Sequence, residues 1–178
     1  MEYLKDFFKR YYIDTLVRRY AEFSGRASRS EFWYYVLFNM MIITVFSLFM
    51  LLIKAEWLIL LYLFYAMMIF PATLSLLARR LHDTGRTGWW YLLIFLPALP
   101  ITIDEYGLMH IPYLIIMILL VLHYVGLLIL LYFLTQKSQP GSNRYGPDPH
   151  EQISGDNRKN REALKNILGI MTNKNKKD

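Results

Sequence analysis

His82 and Asp83 stand side by side, flanked by Arg79, Arg80 and Arg86. A histidine beside a carboxylate can move a proton or ligate a metal, provided other groups converge on it. This chain offers few companions. It has four histidines in all and no cysteine. His110 and His123 fall at the edge of and inside a long apolar run, and His150 lies near the tail. No HExxH, GxSxG, P-loop or Cys/His cluster occurs. The sequence therefore implies no catalytic residue, no metal and no cofactor, and the expectation is a non-enzymatic protein. The arginines carry the remaining chemistry. A guanidinium is a planar fork that pairs with carboxylate or phosphate, two N–H groups at a time.

The elements that would position these groups are apolar blocks. The chain has 178 residues, 55% of them hydrophobic, with a formal charge of +6. Apolar runs near twenty residues long indicate membrane spans. Four are expected, over about 32–53, 57–77, 89–103 and 111–134. Pro71 in the second favours a kink. The third is the shortest and carries Pro97 and Pro100, so a re-entrant segment is the alternative there. Trp33, Trp57, Trp89 and Trp90 sit where interfacial anchors belong. Residues 78–88 are then a short polar loop holding His82 and Asp83.

Before the first span, residues 1–22 read as an amphipathic helix. Its apolar face is built on Leu4, Phe7, Phe8, Tyr11 and Leu16, and its cations are Lys5, Lys9, Arg10, Arg18 and Arg19. Such a helix can lie in the headgroup region or pack beneath the spans. Gly25 is expected to break it, and Ser28 with Glu31 has the spacing of a capping box for the next helix. Residues 23–149 make the membrane domain and 150–178 a basic tail. Within that tail, 158–171 reads as a basic amphipathic helix and the last seven residues as disordered.

Topology follows from charge. Nineteen of the twenty Lys and Arg residues fall in 1–31, 78–88 or beyond 135, and only Lys54 lies in the other loops. The positive-inside bias places both termini and the 78–88 loop in the cytoplasm of a bacterial cell, with the chain in its inner membrane. The net positive charge has the same origin, so nucleic acid is not expected as a partner.

Three motifs follow in order. They are Phe23-x-Gly25-Arg26-x-Ser28-Arg29-x-Glu31-Phe32-Trp33, then Arg79-Arg80-Leu81-His82-Asp83-Thr84-Gly85-Arg86-Thr87-Gly88-Trp89-Trp90, then Gly141-Ser142-Asn143-Arg144-Tyr145-Gly146-Pro147-Asp148-Pro149. Together they resemble the bacterial family called domain of unknown function 805, inner-membrane proteins of the YhaH/YhaI type. The resemblance implies a small all-α bundle in the cytoplasmic membrane and no known activity.

All three motifs belong to one side of the membrane. Arg26, Arg29, Arg79, Arg80, Arg86 and Arg144 can therefore meet Glu31, Asp83 and Asp148 in one layer, with Asp83 as counter-ion to Arg79 and Arg80. Two arrangements fit. The layer can be an internal salt-bridge network that locks helix ends together. It can also hold an anionic lipid headgroup or an acidic partner segment, with Gly85 and Gly88 offering exposed amides. The expected partners are membrane lipids, a second copy or another membrane protein. Within the spans, Asn39 is expected to face a neighbouring helix. His123 lies near mid-membrane with Thr44 or Tyr65 as hydrogen-bond partner, and an oligomeric channel or transporter is the alternative reading that uses it.

Overall fold

In the computed structural model the described residues are 2–53, 57–105, 107–108, 110–151 and 162. The 158–171 helix and the disordered end expected from the sequence, and residues 54–56 between the first two expected spans, lie wholly or almost wholly outside them. The named elements of the described residues are all helical, in the order α1 (Glu2–Phe8), a π-helical turn (Lys9–Ile13), α2 (Asp14–Val17), α3 (Arg29–Ile53), α4 (Trp57–Asp83), a 3₁₀ turn (Gly88–Tyr91), α5 (Leu92–Glu105) and α6 (Tyr113–Thr135).

Three of these, α3, α4 and α6, are long and apolar enough to cross a membrane by length and composition. Helix α5 has 14 residues and does not join them. The helices form two antiparallel hairpins. α3 packs on α4, and α5 lies along most of α6. Pro97 explains part of the second pairing. It has no N–H to give the Leu93 carbonyl. That carbonyl faces Gly126 of α6, where an added Cβ would stand 2.6 Å from it.

Two boundaries differ from the sequence reading, and both differences matter. The polar stretch from residue 78 is not a loop: α4 continues to Asp83, so Arg79, Arg80, His82 and Asp83 ride on its last turns. They can be helical because their charges are paired inside the protein rather than solvated. The true connection is Thr84–Thr87, closed by Gly85 at φ +77°. Gly85 N–H donates to the His82 carbonyl at 2.9 Å and Arg86 N–H to the Leu81 carbonyl at 2.9 Å. This is a Schellman cap, which requires a left-handed residue at that position.

The N-terminal helix likewise ends at Val17, not near residue 22, and Gly25 at φ +84° lies in the connection rather than at its end. A π turn inserts one extra residue per hydrogen-bonded ring. Buried Tyr12 lies in it, stacked on Tyr35 with centroids 5.5 Å apart. The Tyr12 hydroxyl lies 2.8 Å from that of Tyr65, which donates to Asn39 Oδ1 at 2.6 Å. Burial, then the hydrogen bond that Tyr12 donates to Tyr65, pushes the Tyr12 phenol well above its ordinary range, so it stays neutral.

Candidate polar site at the helix ends

Burial is concentrated at one end of the molecule. On α4 it gathers in the last three turns, at Ala72, Ser75, Leu76 and Ala78 through Leu81, then Asp83. Leu130 and Leu134 of α6, Phe32 and Tyr35 of α3, and Tyr12 complete a small core there. Into this core the sequence places charge, which is tolerable only where every group is paired.

Asp83 is the hub, fully buried at 0% exposure. Its Oδ1 accepts from Arg26 Nε at 2.9 Å. Its Oδ2 accepts from Arg80 Nη1 and from the Ser138 hydroxyl. Arg80 is one helical turn before Asp83, so this pair follows from i,i+3 geometry. Arg26 comes from the connection before α3. Both guanidinium groups then read backbone carbonyls. Arg26 donates to Gln139 and Gly141 at 2.5 Å each. Arg80 donates to Leu134 at 3.1 Å and to Gln136. The Arg80 contacts satisfy carbonyls at the end of α6 that have no intrahelical partner. One aspartate and two arginines thus tie the approach to α3, the end of α4 and the end of α6 to the chain that follows.

Arg79 was expected to share Asp83 and does not. Adjacent residues on a helix point about 100° apart, and Arg79 turns to Glu31 at 2.9 Å. Glu31 also meets Arg19 at 3.4 Å. Its carboxylate is therefore diverted from the reciprocal half of the capping box, while Ser28 Oγ still accepts from the Glu31 N–H at 3.2 Å. Arg79 has its side chain 1% exposed, yet its Nε and Nη2 have no acceptor among the described residues.

The other expected members are arranged more loosely. Arg29 is exposed. Arg86 lies over the Phe133 ring at 3.9 Å and donates to the Thr84 carbonyl at 3.2 Å. Arg144 is exposed, donates to the Gly85 carbonyl at 3.3 Å and covers Tyr145. Asp148 accepts from the His150 N–H at 2.9 Å, closing a local turn, and no ion pair to it is formed among the described residues. His82 stacks on Tyr145 with centroids 3.8 Å apart, and its Nδ1 lies 3.2 Å from the Gly25 carbonyl. The Gly85 amide is consumed by the Schellman cap and is not available to an anion. Ser138, Gln139 and the carbonyls around them were not anticipated; the only signal was a polar run directly after the last apolar block.

The intramembrane candidates separate in the same way. Asn39 is buried between the Tyr35 carbonyl at 2.8 Å and Tyr65. His123 is half-buried and its Nδ1 lies 3.0 Å from the Ile94 carbonyl of α5. Neither Thr44 nor Tyr65 is its partner: Thr44 donates to its own helix at Met40, and Tyr65 belongs to the Asn39 chain. The tryptophans all lie on the outside, Trp33, Trp57 and Trp89 among them, with Trp90 edge-on to Phe133. No group of three or more His, Asp or Glu that could hold a metal is present among the described residues.

An all-helical fold with long lipid-length helices and its charge buried at one end defines a small multi-helix membrane protein. Comparison with known proteins is specific. The family model described as "Protein of unknown function (DUF805)" matches residues 20–147, and the chain belongs to that family. It is 34% identical to the inner membrane protein YhaI of Escherichia coli strain K12 over 135 residues, covering 76% of this chain and 92% of that protein. It is 30% identical to the inner membrane protein YhaH of the same strain over 137 residues, covering 75% and 92%. No solved structure matches.

Proposed function

We propose that the protein is a non-enzymatic module of the bacterial inner membrane, with four spans and both termini in the cytoplasm. Its cationic basal face engages anionic lipid headgroups or an acidic membrane partner. The observation that carries this is a division among the cations. Arg26 and Arg80 are saturated by Asp83 and backbone carbonyls, while Lys9, Arg10, Arg18, Arg29, Lys137 and Arg144 around the same end are exposed. The buried set fixes the helix ends, and the exposed set faces whatever lies at the membrane surface.

Four crossings are supported by the way α6 ends. Arg80 of α4 reads carbonyls at the C-terminus of α6, so α4 and α6 finish at the same end. α5 lies antiparallel to α6, with Trp90 beside Phe133 and Ile94 beside His123. Its 14 residues rise about 21 Å, and the preceding 3₁₀ turn adds about 8 Å. Together these come close to a hydrocarbon core of about 30 Å. The N-terminal helix fits the interfacial role, with Lys5, Lys9 and Arg10 outward and Phe7 edge-on to Tyr34 of α3.

The chain has no cysteine, so single cysteines report topology without background. A cysteine at 173 should label from the cytoplasm alone and one at 108 from the periplasm alone. In native discs cut out by copolymer, the anionic lipid fraction should exceed that of the bulk membrane. Each exposed cation at an anionic surface contributes about fivefold to affinity, so Arg29→Gln with Arg144→Gln should bring the fraction back toward bulk. An unchanged lipid fraction, with no acidic protein captured, defeats the reading.

A further inference from the structure

Arg79 presents a buried guanidinium with one edge in use and one edge idle. Nη1 holds Glu31 at 2.9 Å, and Nε and Nη2 have no acceptor among the described residues. Nε and Nη2 form the side-on fork of the guanidinium, whose two N–H bonds run parallel and fit two oxygens of one oxyanion. A charged donor left unsatisfied at this depth is costly. Arg79 lines a polar recess of about 140 Å³ whose other walls include Arg19, Glu22, Ser24, Arg26 and Pro147. The volume corresponds to about four or five waters, enough for one tetrahedral oxyanion.

The recess is cationic in sum. Arg19, Arg26, Arg79 and Arg80 are offset by Glu22, Glu31 and Asp83, leaving one positive charge. Glu22 leans to Arg19 at 3.8 Å on the open rim, where both are about half exposed. Ser24 is exposed at the rim and carries a free-turning hydroxyl. Two groups of donor residues therefore line the recess: buried Arg79, whose fork has no other acceptor among the described residues, and exposed Ser24 with Arg19. A tetrahedral ion uses both, whereas a planar carboxylate is satisfied by the fork alone.

We propose that this recess is a phosphate-binding site, with the Arg79 Nε–Nη2 fork as its anchor and Ser24 and Arg19 closing over the ion. The inference rests on the basal face meeting anionic groups, and it gives that face one defined pocket. The phosphate group can belong to a lipid headgroup or to a free phosphate, and the two sources are separable.

The full chain in neutral detergent is titrated with inorganic phosphate at constant ionic strength, and unfolding temperature is followed. In parallel, retention of phosphatidylglycerol against phosphatidylcholine is measured by native mass spectrometry. Arg79→Lys keeps a charge for Glu31 but removes the fork. Ser24→Asp, on the exposed rim, leaves the core untouched and places a carboxylate against the ion. If the source is free phosphate, phosphate raises the unfolding temperature saturably and each variant weakens the response about tenfold or more. If the source is a lipid, phosphate has little effect and each variant loses phosphatidylglycerol retention. If Arg79→Lys does not fold, Ser24→Asp alone decides. Responses in both variants equal to those of the unaltered chain overturn the site. In that outcome, a loss of lipid retention in Arg29→Gln with Arg144→Gln still upholds the broader proposal.

Discussion

The two ends of the long helices hold together by opposite means. At the basal end the side chains are buried and charged, and nearly every polar atom has a partner. Along the apolar body the side chains are mostly exposed: Leu52 on α3 is 77% exposed, while Leu76 at the basal end is 0%. A soluble protein inverts this arrangement. In lipid there is no hydrophobic drive to press one apolar helix on another, so helices associate through close packing and hydrogen bonds. The two hairpins touch little along the body, and the contacts between α4 and α6 that join them are few. The lesson is that the ionic layer does the joining. A buried ion pair is weak evidence for stability by itself. Here it fixes which helix ends meet, because each arginine also reads carbonyls belonging to another segment.

The comparison breaks most sharply at Asp83. Asp83→Asn removes one charge and leaves Arg26 and Arg80 buried beside each other without a counter-ion. The expected loss is about 3–5 kcal/mol, seen as a large drop in unfolding temperature in detergent and as separation of the hairpins by crosslinking. Because the layer is buried, raising salt to 1 M should leave the unaltered protein's stability nearly unchanged, since screening acts on exposed pairs.

A smaller effect is expected in the body, where packing rather than charge governs. Gly126→Ala puts a methyl 2.6 Å from the Leu93 carbonyl. Forcing α5 from α6 should cost about 1–3 kcal/mol, read as reduced unfolding temperature and weakened crosslinking between positions 90 and 133. Tyr65→Phe removes the hydroxyl that joins Tyr12 to Asn39. Hydrogen bonds inside a membrane contribute about 0.6 kcal/mol on average and up to about 2 kcal/mol, so a modest loss is expected. At the bottom of the scale, Leu52→Ala on the exposed face of α3 should change stability by less than about 0.5 kcal/mol. A loss above about 2 kcal/mol there would mean that another helix covers the site.

The all-helical class, the long apolar helices and the family were legible from one chain because they rest on runs and motifs. So was the pairing of Arg80 with Asp83, since three residues on a helix are one turn. The assignment of 78–88 to a loop failed for a physical reason. Charge read alone implies solvent, but paired charge can continue a helix into the interior. Arg79 and Arg80 are neighbours in sequence and face different carboxylates because one residue of helix turns the side chain by about 100°.

The amino-acid sequence alone marked three of the four expected spans as helices of hydrocarbon length, and the segments that carry the cations. It did so because apolar length and charge are one-dimensional properties. Tertiary structure alone decided that Asp83 belongs to Arg26 as well as Arg80, that His123 rests on Ile94 rather than Thr44 or Tyr65, and that Arg79 keeps an idle fork. The same layer joins residues up to 120 positions apart, as between Arg26 and Gly146. Such pairings depend on the angle at which each helix presents a side chain, and no local pattern records that angle.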